Sequence, residues 1–147
     1  MHRMIDLVVT VQKSGRVYNR MMKETARRCG ITKPAMDVLL FLHNNPEYNK
    51  ASDVSERRFL AKSYVSRAVD LLQKEGFIKV DMDPQDRRVL RLTPLEKADW
   101  AIAQGMETQR RFSSQLYNDV TQEELEEMHR IYSKIMVNLE QMQKSLS

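Results

Sequence analysis

Residues 62–74 read KSYVSRAVDLLQK and contain the pattern from which the rest of the fold is inferred. Val65, Ala68, Val69 and Leu72 recur at spacings of three and four, which places them on one side of a helix. The other side carries cationic and hydrogen-bonding residues, namely Lys62, Ser63, Tyr64, Ser66 and Arg67. The pattern predicts a helix over Lys62–Lys74 that ends at Gly76, with its apolar side in a core and its polar side exposed.

Two strand-like segments follow this helix. Residues 77–81 (FIKVD) and 89–92 (VLRL) are rich in apolar and β-branched side chains, and residues 83–86 (DPQD) between them favour a turn. Arg87 and Arg88 lie beside that turn. The segment is therefore predicted to form a β-hairpin with a charged tip.

Three helices are predicted before residue 62. The first covers about residues 4–28 and ends at Gly30, the second begins at Pro34 and stops at Asn44, and the third covers residues 51–58. The order helix, helix, short helix, helix, hairpin is that of a helix-turn-helix followed by a wing. The predicted fold class is therefore mainly α, a winged helix-turn-helix with a small β-hairpin and with helices at both ends of the chain.

Two capping boxes are predicted after the hairpin. Thr93 with Glu96, and Thr121 with Glu124, have the spacing at which a hydroxyl and a carboxylate each bond to a free backbone amide. The first should open a long helix that reaches about Tyr117, and the second should open the last helix. The last helix has a heptad pattern, which favours lengthwise packing on another helix. Its apolar residues are Leu125, Met128, Tyr132, Ile135, Leu139, Met142 and Leu146.

The composition is typical of one globular domain, with 147 residues, 41% apolar and 30% charged. No apolar run approaches the length of a membrane span and the start does not resemble a secretory signal, so we expect a cytoplasmic protein with no membrane partner. Residues 1–33 contain eight Lys and Arg against two Asp and Glu, whereas residues 92–147 contain six against nine. A basic region of this kind suits nucleic acid, although an ordinary solvated surface is the alternative.

No residue pattern points to catalysis, so we expect neither an enzyme nor a cofactor. The chain lacks a Ser–His–Asp arrangement and a glycine-rich phosphate loop, and its three histidines lack the spacing of metal ligands. The single cysteine, Cys29, cannot form an internal disulfide. Its neighbours Arg27 and Arg28 leave a redox role open, because cationic surroundings lower the pKa of a thiol.

The polar side of the 62–74 helix suits the major groove of DNA, where base edges are read by hydrogen bonds. Ser63, Tyr64 and Ser66 offer such bonds, Arg67 can hold a guanine edge with two, and Lys62 at the helix start can face a phosphate. Two alternatives stay open. Tyr64 can instead pack against the neighbouring helix, and Ser63 can simply be solvated.

The hairpin tip suits the minor groove. Arg87 and Arg88 carry the charge that a narrow A·T minor groove attracts, and Asp86 can hold an arginine in place before DNA arrives. The alternative is a charged turn that only contributes to solubility.

Residues 62–72 with EGFI at 75–78, and DPQDRRVLRLT at 83–93, resemble the recognition helix and wing of MarR-family winged helix-turn-helix regulators. The resemblance extends over nearly the whole chain. It implies a homodimer that binds a pseudo-palindromic operator in double-stranded DNA, usually as a repressor. By this resemblance, Ser63, Tyr64, Ser66, Arg67 and Arg88 contact DNA, and Asp86 orients Arg88.

Three residues depart from the family pattern. Gln85 replaces an arginine of the wing, Glu96 replaces a common glycine, and Ala61 replaces a serine at the start of the recognition helix. The loss of a side-chain cap at Ala61 should weaken that helix start by on the order of 1 kcal/mol.

The chain is predicted to be one MarR-like domain with two lobes, a DNA-binding lobe at about 34–93 and a dimerisation lobe at about 1–30 and 94–147. A second subunit would cover the apolar stripes of the terminal helices. The predicted dimerisation residues are Leu7, Val11, Leu125, Met128, Tyr132, Ile135, Leu139 and Met142. The family also implies a small apolar or aromatic effector between the lobes. The alternative function is a helical adaptor whose winged helix docks another protein.

Overall fold

The computed structural model describes the backbone of residues 2–147 and the side chains of residues 6–147. It is mainly helical with one antiparallel hairpin, which confirms the predicted fold class. The helices are α1 (His2–Arg28), α2 (Lys33–Asn44), α3 (Ala51–Arg57), α4 (Lys62–Lys74), α5 (Asp99–Leu116) and α6 (Gln122–Ser145). The strands are β1 (Ile78–Met82) and β2 (Leu90–Pro94), and a short 3-10 helix, Glu96–Ala98, precedes α5.

The chain forms two compact units, of which the first ends at Phe112 and the second spans Ser113–Ser147. The core of the first unit is built around α2, in which every residue from Ala35 to Leu42 is buried. Because α2 contacts α1, α3, α4 and β2, almost all of its surface is covered and almost all of it is apolar. The neighbouring elements contribute Met22, Val54, Val65, Val69, Leu72, Ile78 and Leu92 to this core.

The part of α5 that lies in the first unit approaches α2 closely. A Cβ atom added to Gly105 would lie 2.8 Å from the side chains of Leu40 and Met36, so any larger residue would force these side chains to move. On α1, the buried hydroxyl of Thr25 forms a 2.6 Å hydrogen bond with the hydroxyl of Thr108. These contacts hold α5 against α2 at Gly105 and against α1 at Thr108.

Two helix starts follow the predicted capping chemistry, at α4 and α6, and α2 is capped by Thr32, which the sequence analysis did not single out. The hydroxyl of Thr32 accepts a 3.2 Å hydrogen bond from the amide of Ala35, and α2 begins one residue before Pro34. At α6 the predicted box is confirmed, because Thr121 and Glu124 each accept a hydrogen bond from the other's amide, at 3.2 and 2.9 Å. At α4, Ala61 provides no side-chain cap, as predicted.

The predicted capping box at Thr93 is wrong. Thr93 and Pro94 belong to β2, where they pair with Lys79 and Ile78 of β1. The amide of Leu95 then donates a 2.9 Å hydrogen bond to the carbonyl of Phe77, which extends the pairing further. Because the backbone here is extended and bonded to β1, it cannot also begin a helix, and the helical path starts only after Leu95.

Candidate nucleic-acid interface

Helix α4 has one buried side and one exposed side, as its sequence predicts. Val65, Ala68, Val69 and Leu72 are buried against the core, which fixes the rotation of the helix about its own axis. The exposed side chains are those of Lys62, Ser63, Ser66 and Arg67. Four of the five residues predicted to contact DNA from this helix therefore lie together on an open, polar and cationic surface.

The fifth residue, Tyr64, is half-buried between α4 and α2. Its hydroxyl donates a 3.0 Å hydrogen bond to the Oδ2 atom of Asp37, an almost completely buried residue of α2. The ammonium group of Lys33 donates to the same oxygen at 2.7 Å. Burial and the negative charge of Asp37 together raise the pKa of Tyr64 well above its usual value. The hydroxyl of Tyr64 therefore points to α2 and not to solvent, as the alternative interpretation predicts.

The tip of the hairpin contains the predicted carboxylate–guanidinium pair. Arg88 is 91% exposed, and its Nε and Nη2 atoms donate to the two carboxylate oxygens of Asp86 at 3.2 and 3.4 Å. The same bonds, with one from the backbone amide of Arg88, lower the pKa of Asp86. Arg87 is also exposed. An arginine is therefore held in the loop of the wing, with its guanidinium open to solvent.

The strand ends next to the wing loop contain a polar cluster that the sequence analysis missed. The guanidinium of Arg91 donates to Asp83 at 2.9 Å and to the side-chain oxygen of Asn49 at 2.8 Å. The carboxylate of Asp83 also accepts hydrogen bonds from the amides of Gln85 and Asp86, and these bonds lower its pKa. Asp83 therefore shapes the turn, while Arg91 ties β2 to the segment before α3. The Asp-Pro dipeptide signalled the turn but not its long-range partner.

Open grooves flank α4 on two sides. One, of about 470 Å³, is lined by Thr32 and Pro34 of the α2 start together with Ser63, Tyr64 and Arg67. The other, of about 260 Å³, lies between α3, α4 and the wing, and its lining is mostly apolar. Its apolar surface comes from Ala51, Val65, Val69 and Leu90, and Lys62 and Ser66 lie at the same groove. The recognition surface is therefore a ridge with a depression on each side.

A third cavity lies where α1, α2 and α5 meet, within the first unit. It measures only about 50 Å³ and is mostly polar, with Tyr18, Asp37, Arg58 and Gln109 among its lining residues. The family resemblance implies an apolar effector between the two lobes. The cavity found here is instead small and polar.

The predicted dimerisation residues are poorly covered within one chain. On α1, Val11 is 60% exposed and Leu7 is half-buried. On α6 no residue is buried, and Tyr132, Leu139 and Met142 are exposed while Leu125, Met128 and Ile135 are half-buried. Each terminal helix therefore presents an apolar stripe that the chain itself does not cover.

Burial raises the pKa of the Cys29 thiol, which opposes the reactivity that its arginine neighbours would favour. Over the residues that the structure describes, no three His, Cys, Asp or Glu side chains are grouped as a metal site would require. Across the same part of the chain, no helix combines the length and apolar character needed to cross a membrane.

Comparison with known proteins places this site in a family. Residues 26–89, from the end of α1 to the tip of the wing, match the model of the MarR family. The winged-helix segment of this chain belongs to the MarR family. Over these residues the chain is similar to MarR-family transcriptional regulators. The matched MarR segment contains every residue predicted above to contact DNA, on α4 and on the wing alike.

A curated relative and several solved structures are similar to most of this chain. A Bacillus cereus (strain ATCC 10987 / NRS 248) protein described as an uncharacterized HTH-type transcriptional regulator is 26% identical over 110 residues, which are 75% of this chain and 72% of that protein. The MarR protein from Peptoclostridium difficile DA00132 has a TM-score of 0.81 at 20% identity, covering 97% of this chain and 92% of that one. A MarR-family regulator from Silicibacter pomeroyi has a TM-score of 0.77 at 18% identity, covering 88% and 86%. These two structures share the fold.

Proposed function

We propose that this MarR-family chain is a dimeric repressor that binds a pseudo-palindromic operator and blocks access to a promoter. The observation that carries the proposal is the exposed polar side of α4, with Arg88 of the wing held open to solvent nearby in the chain. A symmetric pair of such surfaces would read two half-sites about one helical turn apart, which is enough sequence for useful specificity.

The chemistry of α4 suits the major groove. A helix of 13 residues is about 20 Å long and fits a groove that is about 12 Å wide. Arg67 would hold a guanine edge with two hydrogen bonds, and Ser63 and Ser66 would bond to neighbouring bases. Lys62, at the helix start, would neutralise a phosphate together with the free amides of the first turn.

The wing suits the minor groove. Arg88 would enter a narrow, A·T-rich groove, where the negative potential is strongest. Its pairing with Asp86 limits the conformations of the free guanidinium, so less entropy is lost when DNA binds. Arg87 would contact the flanking phosphates.

Dimerisation is proposed from the apolar stripes on the terminal helices. Val8 and Val11 on α1 are 53% and 60% exposed, and Leu139 and Met142 on α6 are 50% and 58% exposed. Large apolar side chains exposed in this number are unfavourable in water, and a second copy of the chain would remove them from solvent. Within each subunit we propose the two lobes given above, residues 34–93 for DNA and residues 1–30 and 94–147 for dimerisation.

Relief of repression by a small apolar or aromatic ligand needs a change in the protein. A cavity of ~150 Å³ holds benzene, whereas the space between α1, α2 and α5 is about 50 Å³ and polar. An aromatic effector at this position would therefore have to widen the cavity. Because Asp37 lines it and also accepts the hydrogen bond from Tyr64, such widening would be felt at α4.

The salt dependence of DNA binding tests the proposal. Operator fragments would first be selected from genomic DNA of the source organism, and their Kd measured by fluorescence anisotropy at several salt concentrations. If about six phosphates are neutralised per dimer, log affinity falls against log salt with a slope of about −5. A protein-docking adaptor would select no fragment and give a flat response. The polar surface of α4 argues against that adaptor, because docking faces present apolar anchors.

A further inference from the structure

Helices α1 and α4 end in the same backbone motif. After α1, Gly30 has a φ of +70°, and the amide of Ile31 bonds to the carbonyl of Ala26, five residues earlier, at 3.1 Å. After α4, Gly76 has a φ of +79° and the next amide bonds back in the same way. In this motif the left-handed position is normally a glycine, because a Cβ atom is disfavoured there.

Helix α3 ends in that motif too, but with a phenylalanine in the glycine position. Phe59 has a φ of +52°, and the amide of Leu60 donates a 2.9 Å hydrogen bond to the carbonyl of Ser55, five residues earlier. Left-handed backbone is unfavourable for a residue with a large side chain. The turn that precedes the recognition helix is therefore strained by the presence of the Phe59 side chain.

The ring of Phe59 gains no packing within the chain that would offset this strain. It is 80% exposed, whereas Leu60, the next residue, packs against the core. Among the described residues other than glycine, positive φ occurs at one further position, Asp119, a residue type that tolerates it. An exposed aromatic side chain on strained backbone next to a binding surface indicates that the side chain is used by a partner.

The excess of cationic residues around Phe59 favours a polyanion as that partner. Arg57 and Arg58 precede it, Lys62 follows three residues later at the start of α4, and all three side chains are exposed. We propose that the Phe59 ring makes an apolar contact with operator DNA beside the recognition helix, against a thymine methyl group or a deoxyribose. This inference rests on the proposed DNA-binding function, and it adds a contact from the turn to those from α4 and the wing.

Substitution by glycine separates this proposal from a purely structural role. Phe59→Gly removes the strain and the ring together, so we expect Tm to rise by about 3 °C and operator affinity to fall by about tenfold. Phe59→Tyr keeps the ring and the strain, and should restore most of the lost affinity without the rise in Tm. Asp119→Gly is the matched control, because it relieves a positive φ in the second unit and should leave the operator Kd unchanged.

Deoxyuridine in place of thymidine in the operator identifies the atoms that are touched. If Phe59→Gly loses less affinity on the deoxyuridine operator than on the thymidine operator, the ring contacts a thymine methyl. If the two losses are equal, the ring contacts deoxyribose. The proposal is overturned if Phe59→Gly binds the operator with unchanged affinity. It is also overturned if sedimentation shows that Phe59→Gly binds more weakly only because its dimer dissociates. Absence of operator binding by the unsubstituted protein would instead refute the proposed function, so the two failures are distinguishable.

Discussion

The hydroxyl of Tyr64 and the carboxylate of Asp37 are joined by a 3.0 Å hydrogen bond that ties the recognition helix to the central helix of the core. The ammonium of Lys33 donates to the same carboxylate oxygen at 2.7 Å, so one buried anion receives a donor from α2 and a donor from α4. A buried carboxylate is stable only when it is paired in this way. The position of α4 is therefore linked to a charge inside the core.

Tyr64→Phe tests this link. The substitution removes one hydrogen-bond donor to a charged acceptor, while the ring and the ion pair with Lys33 remain. We therefore expect the free energy of unfolding to fall by about 1–2 kcal/mol. Operator affinity should fall as well, because α4 is held less firmly. Urea denaturation and operator anisotropy measure the two effects. Tyr117→Phe, on an exposed tyrosine after α5, is the control and should change neither. Unchanged stability in Tyr64→Phe would contradict the link.

The pKa of Tyr64 gives a pH-dependent version of the same test. Tyr64 stays protonated in the folded protein at pH values where an unfolded tyrosine, with a pKa of about 10, has begun to ionise. The group's contribution to stability is therefore fully present below pH ~10 and is lost as pH rises above it. The difference in unfolding free energy between the unsubstituted protein and Tyr64→Phe should shrink from pH ~10 upward. A difference that stays constant between pH 8 and pH 11 would show that Asp37 does not hold the hydroxyl.

Arg88 and Asp86 should have unequal effects on DNA binding. Arg88→Ala removes the proposed minor-groove contact and should weaken operator binding by roughly 1–3 kcal/mol. Asp86→Asn leaves the arginine but removes the ionic part of the pair that orients it, so we expect a smaller loss. Arg110→Ala, in an exposed pair with Glu107 on α5, is the matched control for loss of a surface arginine. Equal affinity of Arg88→Ala and Arg110→Ala would remove the wing tip from the DNA site.

Local periodicity and capping predicted much of this fold. The limits of α4, Lys62 and Lys74, agree with prediction because the apolar spacing and Gly76 are signals within one helix. The two capping boxes show where such reasoning ends. The box at Thr121 forms, whereas Thr93 is drawn into β2 by pairing with β1, which overrides its local preference.

Contacts between distant residues account for what the sequence pattern did not reveal in the site. Asp37 and Tyr64 lie 27 positions apart, and Asn49 and Arg91 lie 42 apart. Neither pair has a spacing that marks it, because the partners meet only once the helices pack around α2. The strained turn at Phe59 was hidden for a related reason, since its φ becomes visible only in the folded backbone.

Leu139→Asp tests whether α6 joins two subunits. Leu139 is 50% exposed in the single chain and lies in the heptad pattern of α6, so the substitution puts a charge into the proposed interface. We expect the dimer to dissociate in sedimentation experiments, and operator affinity to fall with it by at least about a hundredfold, because one winged helix reads only half of the operator. Asn138→Asp adds the same charge at the adjacent exposed position and should keep both the dimer and its affinity. A Leu139→Asp monomer with unchanged operator affinity would show that DNA recognition needs no partner subunit.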